Sequence, residues 1–134
     1  MRKTGLLVAV AGLLLSAGAP VLAHHAFSAE FDQSKPLKLT GEITKLEWTN
    51  PHAWLLIDVK GPDGKVVNWR LEMGAPNALL RAGWSREDIK PGVTVTVSGF
   101  LARAGGTIGN AFQVRLPDGR DLFAASSVKD PAAR

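Results

Sequence analysis

From Leu37 onward the chain alternates apolar and polar residues in short runs broken by turn residues, a period of two that predicts β-strands. Leu37, Leu39, Gly41 and Ile43 fall on one side, with Lys38, Thr40, Glu42 and Thr44 on the other. Leu46 and Trp48 continue the apolar face out of phase with Ile43. A bulge near Lys45 is therefore expected, of the kind that bends a strand round a barrel corner. After the turn signal Thr49-Asn50-Pro51, Ala53, Leu55, Ile57 and Val59 alternate with His52, Trp54, Leu56 and Asp58. Val67, Trp69, Leu71 and Met73 then form the inward face of a third strand, with Asn68, Arg70 and Glu72 outward.

Pro76 to Ala82 predicts a helix of about two turns, with Pro near its start, Arg81 in its last turn and Gly83 at the stop position. Lys90-Pro91-Gly92 is a turn, Val93 to Ser98 a fourth strand, Ala104 to Asn110 a Gly-rich loop and Ala111 to Leu116 a fifth strand. Asp121 to Ala124 are set to pair back after the turn at Pro117 to Arg120. The class is thus mainly β. Three strands, a short helix and two more strands is the order of a small five-stranded OB-like barrel, in which ligands lie on the face of strands two and three. The other arrangement compatible with the pattern is an open β-sandwich with one crossing helix. The domain is expected to span 37–125, preceded by an extended N-terminal arm over 24–36 and followed by a flexible polar tail over 126–134.

The connection between strands two and three sets their register. Pro62-Asp63-Gly64 suits a three-residue loop with Gly64 left-handed, so that Gly61 pairs with Lys65. A slip of one residue would throw one apolar set into water. Carried outward, this register sets Asp58 opposite Asn68, Leu56 opposite Arg70 and Trp54 opposite Glu72. His52 becomes a diagonal neighbour of Glu72, at about 7 to 8 Å between backbones. Arg70 is likewise diagonal to Trp54, where a cation over the ring contributes about 0.5 to 1 kcal/mol. A plainer reading has Phe27 and Phe31 of the arm simply covering Trp54 and Leu56.

The first residues read differently. Met1-Arg2-Lys3-Thr4 is a basic stretch and Gly5 to Ser16 is apolar or small, the pattern of a secretory signal peptide. The apolar run is shorter than the roughly 20 residues of a membrane span. Cleavage is expected after Ala23, where Val21 and Ala23 supply small side chains, so residues 1–23 are the signal peptide, the mature chain starts at His24 and no stable span remains. The expected location is the periplasm. The chain has no Cys, so neither a lipid-modified cysteine nor a disulfide is available. Losing Arg2 and Lys3 leaves 14 basic against 12 acidic side chains, lowering the net charge from +4 to +2. These charges alternate in sign and form no basic stripe, so nucleic acid is not an expected partner.

The histidines, His24, His25 and His52, are the candidate metal ligands. An N-terminal His24 offers an α-amine and a ring nitrogen as one chelate, both accessible near neutral pH. His25 adds a ring, and His52, with Glu72 beside it, completes the set if the arm folds back. Nitrogen donors favour Cu(II), then Ni(II) or Zn(II). The arrangement resembles the histidine brace of copper proteins. Trp48, Asn50, Trp54, Leu56 and Arg70 make up the rest of the candidate ligand face.

An enzyme is not expected. There is no Gly-x-Ser-x-Gly elbow and no Ser, His and acid in a plausible order. Gly105-Gly106-Thr107-Ile108-Gly109 lacks the Gly-Lys-Ser/Thr ending of a phosphate loop. Single outward carboxylates on strands, such as Glu42 and Glu47, are ordinarily solvated.

Several segments together carry a resemblance: His24-His25-Ala26-Phe27, Glu30-Phe31-Asp32, Glu47-Trp48-Thr49-Asn50-Pro51-His52-Ala53-Trp54, Asn68-Trp69, Glu72-Met73-Gly74-Ala75-Pro76-Asn77 and Arg81-Ala82-Gly83-Trp84. Over nearly the whole mature chain they are similar to a family of small exported bacterial proteins catalogued as a domain of unknown function. The resemblance implies export and a single β-rich domain, and it supplies no reaction. The expected function is therefore a periplasmic binding protein, with copper or zinc held by His24, His25 and His52. The alternative is a module that docks an unidentified periplasmic protein or glycan through Trp48, Trp54 and Leu56.

Overall fold

Alternation is realised in six strands: β1 (Phe31–Glu47), β2 (Trp54–Lys60), β3 (Val66–Glu72), β4 (Thr94–Ala102), β5 (Ile108–Arg115) and β6 (Asp121–Phe123). The computed structural model describes residues 27–125. The expected signal peptide, its cleavage site, His24, His25 and the tail over 126–134 lie outside the described residues. One short helix, α1 (Pro76–Arg81), joins β3 to β4.

The strands run in the order β3-β2-β1-β4-β5-β6. A parallel pairing of β3 with β5, Arg70 to Ile108 through Glu72 to Asn110, closes five of them into a ring. This is the mainly β, OB-like order expected, with the helix between the third and fourth strands. A closed ring removes the unpaired edges that an open sheet would expose.

The β2–β3 register runs from Trp54 opposite Glu72 to Lys60 opposite Val66, as the loop chemistry requires. Gly64 has φ 79°, and Gly61 N donates to Lys65 O at 2.8 Å. The bulge in β1 falls between Ile43 and Lys45, and Leu46 and Trp48 return to the core beyond it.

Ile43, Leu55, Ile57, Leu71, Val97 and Val114 fill the ring and are fully buried. Leu79 of α1, Trp84 and Ile89 join the same cluster and close one end of it. Trp84 Nε1 donates to Phe123 O at 2.7 Å, which ties the segment after the helix to β6.

Three expectations need correction. The Gly-rich loop expected over Ala104 to Asn110 ends sooner, because Ile108, Gly109 and Asn110 already belong to β5 and pair with β3. The inward face of β3 fades towards the hairpin tip, where Val67 is 41% exposed and Trp69 only half-buried. β5 pairs with β3 only from Arg70 onward, which leaves the hairpin tip beyond the ring. The segment read as an extended arm to Pro36 is also different where it is described. Residues 27–30 form one helical turn, and from Phe31 the chain already runs as β1 along β4.

The reason lies in the spacing of Phe27 and Phe31, four residues apart and therefore on one side of a helical turn. Both are buried with Phe100 against Phe112, the first pair with ring centroids 5.2 Å apart. The aromatics thus build a second, outer cluster over β4 and β5 instead of covering Leu56. Arg103 holds the turn from below, its Nε donating to Ser28 O at 2.7 Å and its backbone N donating to Glu30 O at 2.8 Å.

Candidate functional site

The outer face of β2 and β3 collects four of the residues singled out from the sequence. His52 stands immediately ahead of β2, and its Nδ1 lies 2.8 Å from Glu72 Oε1. Next to this pair, Arg70 lies over Trp54 with its Cζ 3.9 Å from the ring centroid. Strand parity points all four outward, and the hairpin register makes them neighbours.

The guanidinium is held from a third strand. Arg70 Nη2 donates to Glu47 Oε2 at 3.0 Å, and Lys45 Nζ reaches Glu47 Oε1 at 3.1 Å. Hydrogen bonds from Arg70 and then Lys45 hold the Glu47 carboxyl below the usual range. Glu47 belongs with this row because the bulge at Lys45 brings it opposite Trp54. By sequence alone Glu47 reads as a solvated carboxylate.

Glu72 is the unusual member. It faces outward by parity, yet it is only 5% exposed. The helical turn at 27–30 and the start of β1 cover it, leaving a cleft of about 310 Å³ bordered by Glu30, Phe31, Trp54, Glu72, Ala102 and Ile108. Burial pushes the Glu72 carboxyl above the usual range, His52 opposes that shift, and the nearby Glu30 carboxylate adds to it. Removing a carboxylate from water without full pairing is unfavourable, so the position has a strong demand for a positive or donating neighbour.

At present His52 meets part of that demand. When Nδ1–H donates to Glu72, Nε2 presents its lone pair on the side away from the carboxylate. This is the geometry in which a carboxylate orients a metal-binding histidine. In that arrangement Glu72 stands behind His52 as its orienting partner. Among the described residues, no group of three or more His, Cys, Asp or Glu is arranged to hold a metal ion.

Other candidates fall elsewhere. Trp48 is half-buried and packs on the main core, with Arg86 Cζ 5.8 Å from its ring centroid, because the bulge turns its side of β1 inward. It leaves the ligand face. Asn50 is exposed in the turn before His52 and does not border the cleft, whereas Leu56 is half-buried opposite Arg70. His24 and His25 precede the described residues.

One residue of interest had no sequence signal at all. Asn110 is fully buried, pairs with Glu72 in the β3–β5 ladder, and its Oδ1 has no hydrogen-bond partner among the described residues. Its Nδ2 reaches only Glu72 O, at 3.5 Å. Glu30 is the other addition, visible in retrospect from the four-residue spacing of Phe27 and Phe31 that curls the chain beside it.

A family model matches residues 10–111, and that family is one of unknown function. No curated protein and no solved structure matches the chain.

Proposed function

Because the chain belongs to the family of unknown function DUF6152, its role has to be read from the site itself, and we propose a non-catalytic periplasmic binding protein that holds a divalent metal, copper or zinc. The basic and apolar pattern of residues 1–23 supports export. The observation on which the metal reading rests is the His52–Glu72 pair, whose 2.8 Å contact orients one imidazole nitrogen outward.

A single imidazole is not a site. His52 Nε2 would supply one donor, and His24 and His25 the remaining nitrogens, the former through its amine as well after cleavage at Ala23. The described chain begins two residues after His25, in the turn whose Glu30 shares a cleft with Glu72. Nitrogen donors of this kind suit Cu(II) above Zn(II). Glu72 acts through His52 by fixing the ring, a role that typically changes metal affinity by about 10- to 100-fold.

Calorimetric titration of Cu(II) and Zn(II) into the mature protein beginning at His24 tests the reading. Binding is expected at about micromolar Kd or tighter. It should be lost in His52→Ala and weakened by about 10- to 100-fold in Glu72→Gln. Absence of micromolar binding, or an undiminished affinity in His52→Ala, would contradict it.

The second reading, docking of a partner protein or glycan without metal, is favoured by one observation. The row Glu47, Arg70 and Trp54 presents an ordered guanidinium and indole side by side at the surface. Without Trp48, its apolar part is reduced to Trp54 and Leu56.

A further inference from the structure

We propose that the cleft between the helical turn and β3 is a binding site for a small organic ammonium, a primary amine on an apolar stem. The inference rests on reading this outer face as a binding face and does not require a metal at His52.

The lining decides the ligand class. Phe31, Trp54, Ala102 and Ile108 are apolar walls, and the two carboxylates that border the cleft are Glu30 and Glu72. Glu72 is 5% exposed, and only its Oε1 has a partner among the described residues, His52. The charged side chains that border the cleft are thus both carboxylates. Of the cations beside it, Arg70 is engaged by Glu47 and the Trp54 ring, and Arg103 by Ser28 O and Asp32.

An anion would meet Glu30 and Glu72 and be repelled. A neutral apolar molecule would fill the walls but offer no positive charge to the two carboxylates. An ammonium supplies three donors and a positive charge to the place where like charges meet, and hydrogen bonds between ionised groups are the strong ones. Its stem occupies the apolar part. A volume of about 310 Å³ is at the lower end of the roughly 300–1,000 Å³ of small-molecule sites, which limits the stem to one ring or a short chain.

The test compares three probes of one shape on the mature protein, with EDTA present: 2-phenylethylammonium, 2-phenylethanol and 3-phenylpropionate. Calorimetry or ligand-observed NMR is expected to rank the amine about tenfold or more tighter than the alcohol, with the carboxylate weakest. Glu72→Gln, with its fold verified by circular dichroism, should bring the amine to the affinity of the alcohol. Because EDTA is present throughout, amine binding by the wild-type protein separates this site from the metal site. Equal affinities for amine and alcohol on the wild-type protein would overturn the proposal, even if Glu72→Gln failed to fold. So would an amine that shows no binding up to about 10 mM, or one unaffected by Glu72→Gln.

Discussion

Gly99→Ala is expected to leave the domain largely unfolded at 37 °C. A Cβ built on Gly99 lies 1.6 Å from the carbonyl oxygen of Asn110 and 2.7 Å from its carbonyl carbon. Both are backbone atoms of the paired strand, so no side-chain rotation relieves the overlap. Either the bulge between Ser98 and Gly99 moves or the β4–β5 ladder opens. That ladder carries Val97, Ala111 and Val114, all fully buried. A loss exceeding about 4 kcal/mol places the change among the exceptional substitutions. It removes much of the roughly 5 to 15 kcal/mol that holds a domain of this kind together.

A second glycine provides the contrast. Gly106 has φ 76° and open space round its built Cβ, so Gly106→Ala meets only the left-handed conformational penalty, about 1 to 2 kcal/mol. Urea unfolding followed by circular dichroism compares the two. A Gly99→Ala protein within about 1 kcal/mol of wild type would show that the close approach of β4 to β5 is wrong.

Phe31→Ala is expected to have the next largest effect, and to link stability with binding. Phe31 is 2% exposed, packs on Phe27, and forms part of the cleft wall. Truncation of a buried Phe costs about 3 to 5 kcal/mol. The cluster lies outside the main core, so the turn at 27–30 should detach before the ring opens, which puts the cost near the lower figure. Glu72 would then be exposed and Glu30 released, and the cleft would lose one side. Hydrogen exchange reads this directly. The expected result is lost protection for Arg103 N, whose acceptor is Glu30 O, with Leu71 and Val97 still protected under native conditions. Uniform loss across both regions would mean that the outer cluster and the core are one unit.

How much of this was legible in the chain differs from element to element, for physical reasons. The β2–β3 hairpin was readable to the residue, because parity and the Pro62-Asp63-Gly64 loop act on the same register. The bulge near Lys45 was visible as a phase slip, and its consequence for Trp48 followed from the same slip, although Trp48 was assigned to the ligand face. Glu72 shows the limit of strand parity. It says which side a residue faces, but not what distant chain lies over that side. The cover here is a single helical turn, too short to leave more than the Phe27 and Phe31 spacing, and it is held by Arg103 from the end of β4. Asn110 was hidden for a related reason. β3 and β5 are parallel neighbours closed through the ring, so no local loop announces that Asn110 sits beside Glu72.

The most direct measurement is the protonation of the two His52 ring nitrogens, followed by long-range ¹H–¹⁵N NMR of the mature protein during a Zn(II) titration. The proton is expected on Nδ1 throughout, facing Glu72, while the Nε2 resonance moves on adding metal. A ring protonated on Nε2, or a spectrum that zinc leaves unchanged, would contradict a binding face organised around this pair.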